Sequence, residues 1–308
     1  MRPHAVHPQA TAAIGTQPRE PLHRGNLEAV RRSMRTATPG EVGRGDQTVS
    51  AFDVDAGGVR GRLYLPASAP GPAAPGAVFA HGGGWVMGDL DTHDGLCREI
   101  SGRSGRAVLA VDYRLAPEHP HPAALEDLER AAGWLAGGGG LRHGVAAEPP
   151  AVIGESSGGQ LAAVAARRSR DRGRPYAAQI LVCPVIDPHA EYPDLDEYGL
   201  GREEMDFFWQ AYAADPRTTQ DPDIAPLLAD LHGLPPALVI TAELDILRDE
   251  AERYAAALAA AGVRVSAVCY SGVNHAFVRK LALFDAAGFA VDQIAGTLRS
   301  LLRVPAGH

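Results

Sequence analysis

Short, uninterrupted apolar runs spaced by helical patterns constrain this chain more than any other feature. They are Ala77-Val78-Phe79-Ala80, Ala107 to Val111, Ala151-Val152-Ile153, Ile180-Leu181-Val182-Cys183 and Leu238-Val239-Ile240, with Val263 to Tyr270 as the last candidate. A strand with one wet face alternates apolar and polar residues, whereas an unbroken apolar strand is covered on both faces. Helical patterns lie at about 122–136, 158–171, 248–261 and 283–302. This alternation predicts an α/β fold: a mostly parallel central sheet flanked by helices. Thr48 to Val54 and Val59 to Leu65 read as a hairpin around Asp55-Ala56-Gly57-Gly58, ahead of the alternation. With 308 residues the chain can build one large domain or one domain with a smaller addition.

The remaining stretches are read with less regular chemistry. Residues 1 to about 20, rich in Pro, Ala and His, read as loose, and Leu22 to Thr36 reads as an amphipathic helix with Leu27, Val30 and Met34 on one side. Asp187 to Asp230 interrupts the rhythm with Tyr192, Tyr198, Phe207, Phe208, Trp209 and Tyr212 among many acids, as an inserted helical segment outside the sheet would. A net charge of −8 gives no global attraction to nucleic acid or to an anionic membrane. The basic run from Arg167 to Arg174 ends a helical pattern and reads as a solvated helix end. Cys97, Cys183 and Cys269 are odd in number and far apart, which suits a reducing compartment better than a disulfide framework. The first residues show no apolar signal-peptide core, and no run reaches the length of a membrane span, so a cytoplasmic location is expected.

In open α/β sheets, sites form at the carboxyl ends of strands. Four such ends carry useful chemistry here. Gly154-Glu155-Ser156-Ser157-Gly158 follows a strand and opens a helix, and it fits Gly-x-Ser-x-Gly, the nucleophile elbow. The pattern alone occurs by chance, but a serine on a sharp turn needs small neighbours because the flanking segments nearly touch. His81-Gly82-Gly83-Gly84-Trp85 comes straight off Ala77–Ala80, and consecutive glycines leave N–H groups free to face one anion. Asp245 follows Leu238–Ala242 and could orient a histidine, or could only cap the helix that Asp249 and Glu250 open. His275 lies in the loop after the last strand, downstream of both Ser156 and Asp245. The order Ser156, Asp245, His275 is that of nucleophile, acid and base in α/β-hydrolases.

With Val111-Asp112-Tyr113-Arg114-Leu115-Ala116-Pro117-Glu118-His119-Pro120 added, five blocks stand in one order over about residues 48–300. The chain resembles the hormone-sensitive-lipase-like (bacterial family IV) carboxylesterases. That resemblance implies the α/β-hydrolase fold, with an N-terminal cap segment at 1–47, a core at 48–186 and 231–308, and a helical cap insertion at 187–230. It implies a Ser156–His275–Asp245 triad, oxyanion donors at Gly83, Gly84 and Ser157, and no cofactor or metal. Trp85, Phe207, Phe208, Trp209 and Tyr212 are expected either to line a substrate pocket or to pack the cap onto the core. The implied activity is serine carboxylesterase hydrolysis of short- to medium-chain acyl esters through an acyl-enzyme. The implied partner is a small-molecule ester, and a homodimer is left open. The chain departs from the family's usual pattern at Ser157 (alanine), Ile246 (proline), Ala276 (glycine) and His121 (an aromatic). None of these removes a group of the implied triad.

Other readings use the same residues. A deacetylase or acyltransferase tailoring a secondary metabolite would need the same triad. A ligand-binding protein on this fold is opposed by the complete Ser156/Asp245/His275 set. A metal hydrolase is opposed by the lack of a paired His-x-x-x-His with an acid. A triglyceride lipase would want a long apolar lid, which the sequence lacks.

Overall fold

The computed structural model describes residues 6–14, 22–67, 74–213 and 219–301. Eight strands make one sheet: β1 (Ser50–Asp55), β2 (Arg60–Leu65), β3 (Ala77–Ala80), β4 (Val108–Val111), β5 (Ala151–Glu155), β6 (Ala178–Val182), β7 (Ala237–Leu244) and β8 (Val265–Asn274). They lie in the order β1-β2-β4-β3-β5-β6-β7-β8. The β1–β2 and β2–β4 pairs are antiparallel, and every pair from β4 to β8 is parallel.

Every residue of β3, β4, β5 and β6 is buried, which is why these strands have no polar alternation. The pleat sends alternate residues to two cores. Val78, Ala80, Leu109 and Val152 pack into one core with α4 (Ala123–Trp134), α5 (Ser157–Asp171) and α7 (Arg248–Ala260). Ala77, Phe79, Val108 and Ile153 pack into the other with α3 (Asp94–Ser104) and α8 (Asp285–Leu301). A one-residue slip would exchange the two sets, so the pattern on each face fixes the register.

Several elements differ from the sequence-based expectation, each for a visible reason. The stretch read as loose contains α1 (Pro8–Ile14). The His7 N–H donates to the Gly272 carbonyl at 3.0 Å and Ala10 is fully buried, so tertiary contacts hold a segment whose composition gives no such hint. Residues 1–5 and 15–20 lie outside the described residues. The next helix, α2, starts later and runs further than expected, over Leu27–Glu41. Helix α3 was not expected at all, because Gly95 and Gly102 weaken its helical pattern. Both glycines are there for close approach: a Cβ on Gly95 would meet the Gly43 carbonyl, and one on Gly102 the Asp46 carboxylate. The basic run is more than a solvated helix end. Arg168 and Arg172 both reach Glu129 on α4, and Arg167 pairs with Asp171 and Asp223. The run therefore ties α5 to its neighbours.

Within 187–230, the regular element is α6 (Arg202–Tyr212) with short helical turns around it. Buried Glu250 anchors the entry to this segment by accepting the Ile186 N–H at 2.7 Å. On the N-terminal side, Arg31 of α2 donates to the carbonyls of Val86 (2.6 Å) and Ala116 (3.0 Å) and pairs doubly with Glu118 (2.9 Å each). One guanidinium thus joins α2 to both glycine-loop and Tyr-Arg-Leu-Ala-Pro-Glu blocks, a fork-on-fork geometry that lysine could not reproduce.

Candidate active site

Parallel strands bring their carboxyl ends to one edge, and the four chemically useful strand ends all lie there. Ser156 leaves β5 with φ 56° and ψ −120°, outside the comfortable backbone regions for an L-residue. The turn closes because its neighbours lack side chains. A Cβ on Gly154 would strike the Gly158 carbonyl, one on Gly158 would strike the carbonyls of Ala80 and His81, and one on Gly159 would crowd Pro184. The turn is also pinned: the Ser156 N–H donates to the Val182 carbonyl at 2.8 Å, and its own carbonyl accepts from Gly159 at 2.9 Å and Val185 at 3.1 Å.

An irregularity aligns the other two side chains. Strands β7 and β8 pair in step up to Ala242 opposite Tyr270, then slip so that Leu244 faces Asn274. The next residues along each strand are Asp245 and His275, which the slip sets side by side. His275 Nδ1 lies 2.7 Å from Asp245 Oδ2, and Nε2 lies 2.9 Å from Ser156 Oγ. An ionised carboxylate only accepts, so Nδ1 carries the proton and Nε2 is left to accept from the serine hydroxyl. The second carboxylate oxygen of Asp245 accepts the Leu247 N–H at 3.0 Å, and the side chain is buried. Burial alone pulls the His275 imidazolium down, but the Asp245 charge, with Glu155 and Glu204 behind it, raises its pKa above the ordinary 6.5.

The glycine loop stands beside this line. Gly83 and Gly84 have φ 125° and 60°, which glycine adopts without a Cβ penalty. Their N–H groups have no backbone partner among the described residues. The Ser157 N–H is the first of α5, one of the donors a helix start leaves unused. The loop is held from behind. His81 stacks on Tyr113 with ring centroids 4.1 Å apart, and the Tyr113 hydroxyl donates to the His81 carbonyl at 2.7 Å. Burial, reinforced by neighbouring His93, takes His81 down to about 3, so it stays neutral.

Of the aromatic residues expected near the site, three form one buried stack. Trp85 lies parallel to Tyr212 at 4.2 Å and tilted on Trp209 at 4.6 Å, and all three are about 1% exposed or less. The ring of Phe208 fills the place where a Cβ on Gly84 would stand, and half-buried Phe207 packs edge-on to it.

Several residues that surround these groups carry no signal of it in the sequence. Glu155, inside the elbow, is buried with a carboxylate oxygen 3.4 Å from His93 Nε2 and lies against Gly82. Burial would raise its pKa, but His93 leads the partners that bring it below the ordinary value. Asn274, next to His275, donates to the Tyr198 carbonyl at 2.7 Å and so ties the site to the 187–230 segment. Cys183 comes within 4.8 Å of both the Asp245 carboxylate and the His275 ring. These three donors are spaced as a metal site could be, but the hydrogen bond between His275 and Asp245 already uses two of them. A position inside a regular apolar run gave no signal for any such contact. His121, Asp221 and Asp223 also converge, with Asp223 already paired to Arg167. No helix among the described residues is long and apolar enough to cross a membrane.

Comparison with known proteins points the same way. A family model for the alpha/beta hydrolase fold matches residues 77–279. The carboxylic ester hydrolase LipN of Mycobacterium tuberculosis is 38% identical over 282 residues, covering 88% of this chain and 74% of that protein. Ethyl acetate hydrolase of Pseudomonas putida is 33% identical over 297 residues, 92% of each chain. A solved esterase from Pyrobaculum calidifontis superposes with a TM-score of 0.86 at 37% identity, over 96% of this chain and 98% of that one. The chain therefore belongs to the hormone-sensitive-lipase-like carboxylesterases of the α/β-hydrolase fold, enzymes that hydrolyse carboxylic esters.

Proposed function

We propose that this carboxylesterase cleaves short- to medium-chain acyl esters with Ser156 as nucleophile, by way of an acyl-enzyme. The observation that carries the reading is the unbroken line from Ser156 Oγ to His275 Nε2 at 2.9 Å and from His275 Nδ1 to Asp245 at 2.7 Å. In the first half-reaction Ser156 Oγ bonds to the ester carbonyl carbon and its proton passes to His275 Nε2. The oxyanion is received by the N–H groups of Gly83, Gly84 and Ser157, where each donor is worth about 2.7–4 kcal/mol in related chemistry. His275 then returns the proton to the departing alkoxide. Water, deprotonated by His275, attacks the acyl-enzyme, and Ser156 leaves with that proton. Asp245 holds the ring in the correct tautomer and offsets the imidazolium charge. No step needs a cofactor.

The N-terminal helices and the 187–230 segment act in this reading as a cap over the site. Trp85, Trp209 and Tyr212 anchor α6, and Phe208 is the wall next to the glycine loop. A wall that close favours a small acyl group, in keeping with the name of the Pseudomonas putida relative. Rates on p-nitrophenyl esters from acetate to dodecanoate test this. The wild type should peak at short chains, and Phe208→Ala should move the peak to longer ones. A folded enzyme with its highest rate on dodecanoate would overturn the chain-length reading.

The pH profile is a second check. Only neutral His275 can take the serine proton, and Asp245 raises its pKa. The kcat/KM of the free enzyme should therefore fall as pH drops, with its acid midpoint above 6.5. A midpoint well below that value would mean that another group limits the rate.

A further inference from the structure

Among the described residues, four non-glycine side chains sit on a left-handed backbone: Trp85, Ser156, Cys183 and Ala276. Such strain costs on the order of 1–3 kcal/mol for each residue and persists where the surroundings enforce it. Three of the four have an evident place. Trp85 ends the glycine loop, Ser156 is the elbow, and Ala276 turns the chain directly after His275. The fourth, Cys183, is the first residue past β6, and nothing in the reaction as described uses it.

The surroundings of Cys183 are specific. Its N–H donates to the Ile240 carbonyl of β7 at 2.7 Å, which fixes the backbone at φ 43°. Its side chain is buried, with Sγ within 4.8 Å of an Asp245 carboxylate oxygen and of a His275 ring nitrogen. The thiol thus borders the Asp245–His275 pair from the β6 side. Burial, with the charges of Asp245 and Glu155 adding, pushes the thiol well up, so it remains S–H, a donor and not a second anion. Asparagine or glycine would take this backbone at lower cost, but glycine would leave the space beside the carboxylate unfilled.

We propose that Cys183 is a positioning residue for the ester-hydrolysing reaction: its thiol braces the Asp245 carboxylate against the loop that carries His275. This rests on the triad reading above. The thiol meets Asp245 from the β6 side, while the Leu247 N–H holds the other carboxylate oxygen from the α7 side. Without the thiol, the space beside Asp245 opens and the carboxylate has more freedom to turn away from His275. The other charged groups around the pair are Glu155, Glu204 and Glu250, and they are unchanged by the substitution.

The test compares wild type, Cys183→Gly, Cys183→Ala and Cys183→Ser on p-nitrophenyl acetate, with Tm and full pH profiles, and with Ser156→Ala as control. Glycine relieves the backbone strain, so that variant stays folded even if the alanine variant does not. The expected result is a loss of about ten- to a hundred-fold in kcat for Cys183→Gly, up to the cost of a catalytic group misplaced by about 1 Å. KM should stay within two-fold and the acid midpoint should move downward, because an Asp245 free to turn away from His275 raises the imidazole pKa less. Cys183→Ser, which restores a side chain of nearly the same shape beside Asp245, should recover most of the rate and the midpoint. Wild-type kcat and midpoint in a folded Cys183→Gly variant would overturn the proposal and leave the triad reading intact. A rate that survives Ser156→Ala would overturn both. A loss confined to Tm, with kcat and midpoint unmoved, would make Cys183 a packing residue only and would equally overturn it.

Discussion

Ser156→Ala is expected to lower kcat on p-nitrophenyl acetate by about 10⁶, the scale seen when the nucleophile of such a triad is removed. The change deletes one oxygen. That oxygen is held by His275 Nε2, so little of the fold depends on it. The strained φ of 56° is set by the Val182 carbonyl and by contacts of Gly154, Gly158 and Gly159, and none of these involves the hydroxyl. Tm should therefore stay near that of the wild type, and substrate should still bind with a similar affinity. A residual rate of about 10³–10⁴ over water is expected, because the N–H donors and the bound geometry remain. Mass spectrometry of a quenched reaction adds an independent readout: an acyl adduct on the wild type and none on the variant. Undiminished turnover in Ser156→Ala would refute Ser156 as nucleophile, whatever the geometry.

The sequence made the chemistry legible further than the scaffold around it. The apolar runs exposed the parallel sheet because β3 to β6 are buried on both faces and tolerate no polar alternation. Ser156, Asp245 and His275 could be picked out because each follows such a run, where parallel topology gathers strand ends. Their alignment could not be foreseen, since it depends on the slip between Ala242 and Leu244, and nothing in the residues of β7 or β8 announces it. Helix α3 was hidden for a related reason. Its glycines obey a distant constraint, the passage of residues 43–46, and local propensity reads them only as breakers. Glu250 was expected merely to open a helix beside Asp249. It does stand in the first turn of α7, but it is buried, accepts the Ile186 N–H, and burial pushes its carboxyl well up. Adjacent acids with one composition thus have opposite environments, and only the packing separates them.

That contrast gives the last prediction its control. Asp245→Asn should lower kcat by about 10⁴, with the fold intact, as the same replacement does in other serine triads. The amide can present its N–H₂ to His275 Nδ1. The ring then keeps its proton on Nε2 and cannot accept from Ser156. The Leu247 N–H still finds an oxygen on the new side chain, so the start of α7 loses little. The acid limb should also move. Asp245 is the chief group raising His275, so the remaining activity in Asp245→Asn should titrate at a lower pH than in the wild type. Asp249→Asn should change kcat by less than about two-fold, because that side chain is exposed and pairs with Arg248, and exposed pairs are worth little. If Asp249→Asn instead abolished the rate and Asp245→Asn spared it, the acid would have to be reassigned along the loop. Equal, mild losses in both would mean that His275 works without a carboxylate partner. Its 2.7 Å contact with Asp245 would then be a feature of the resting fold and not of the reaction.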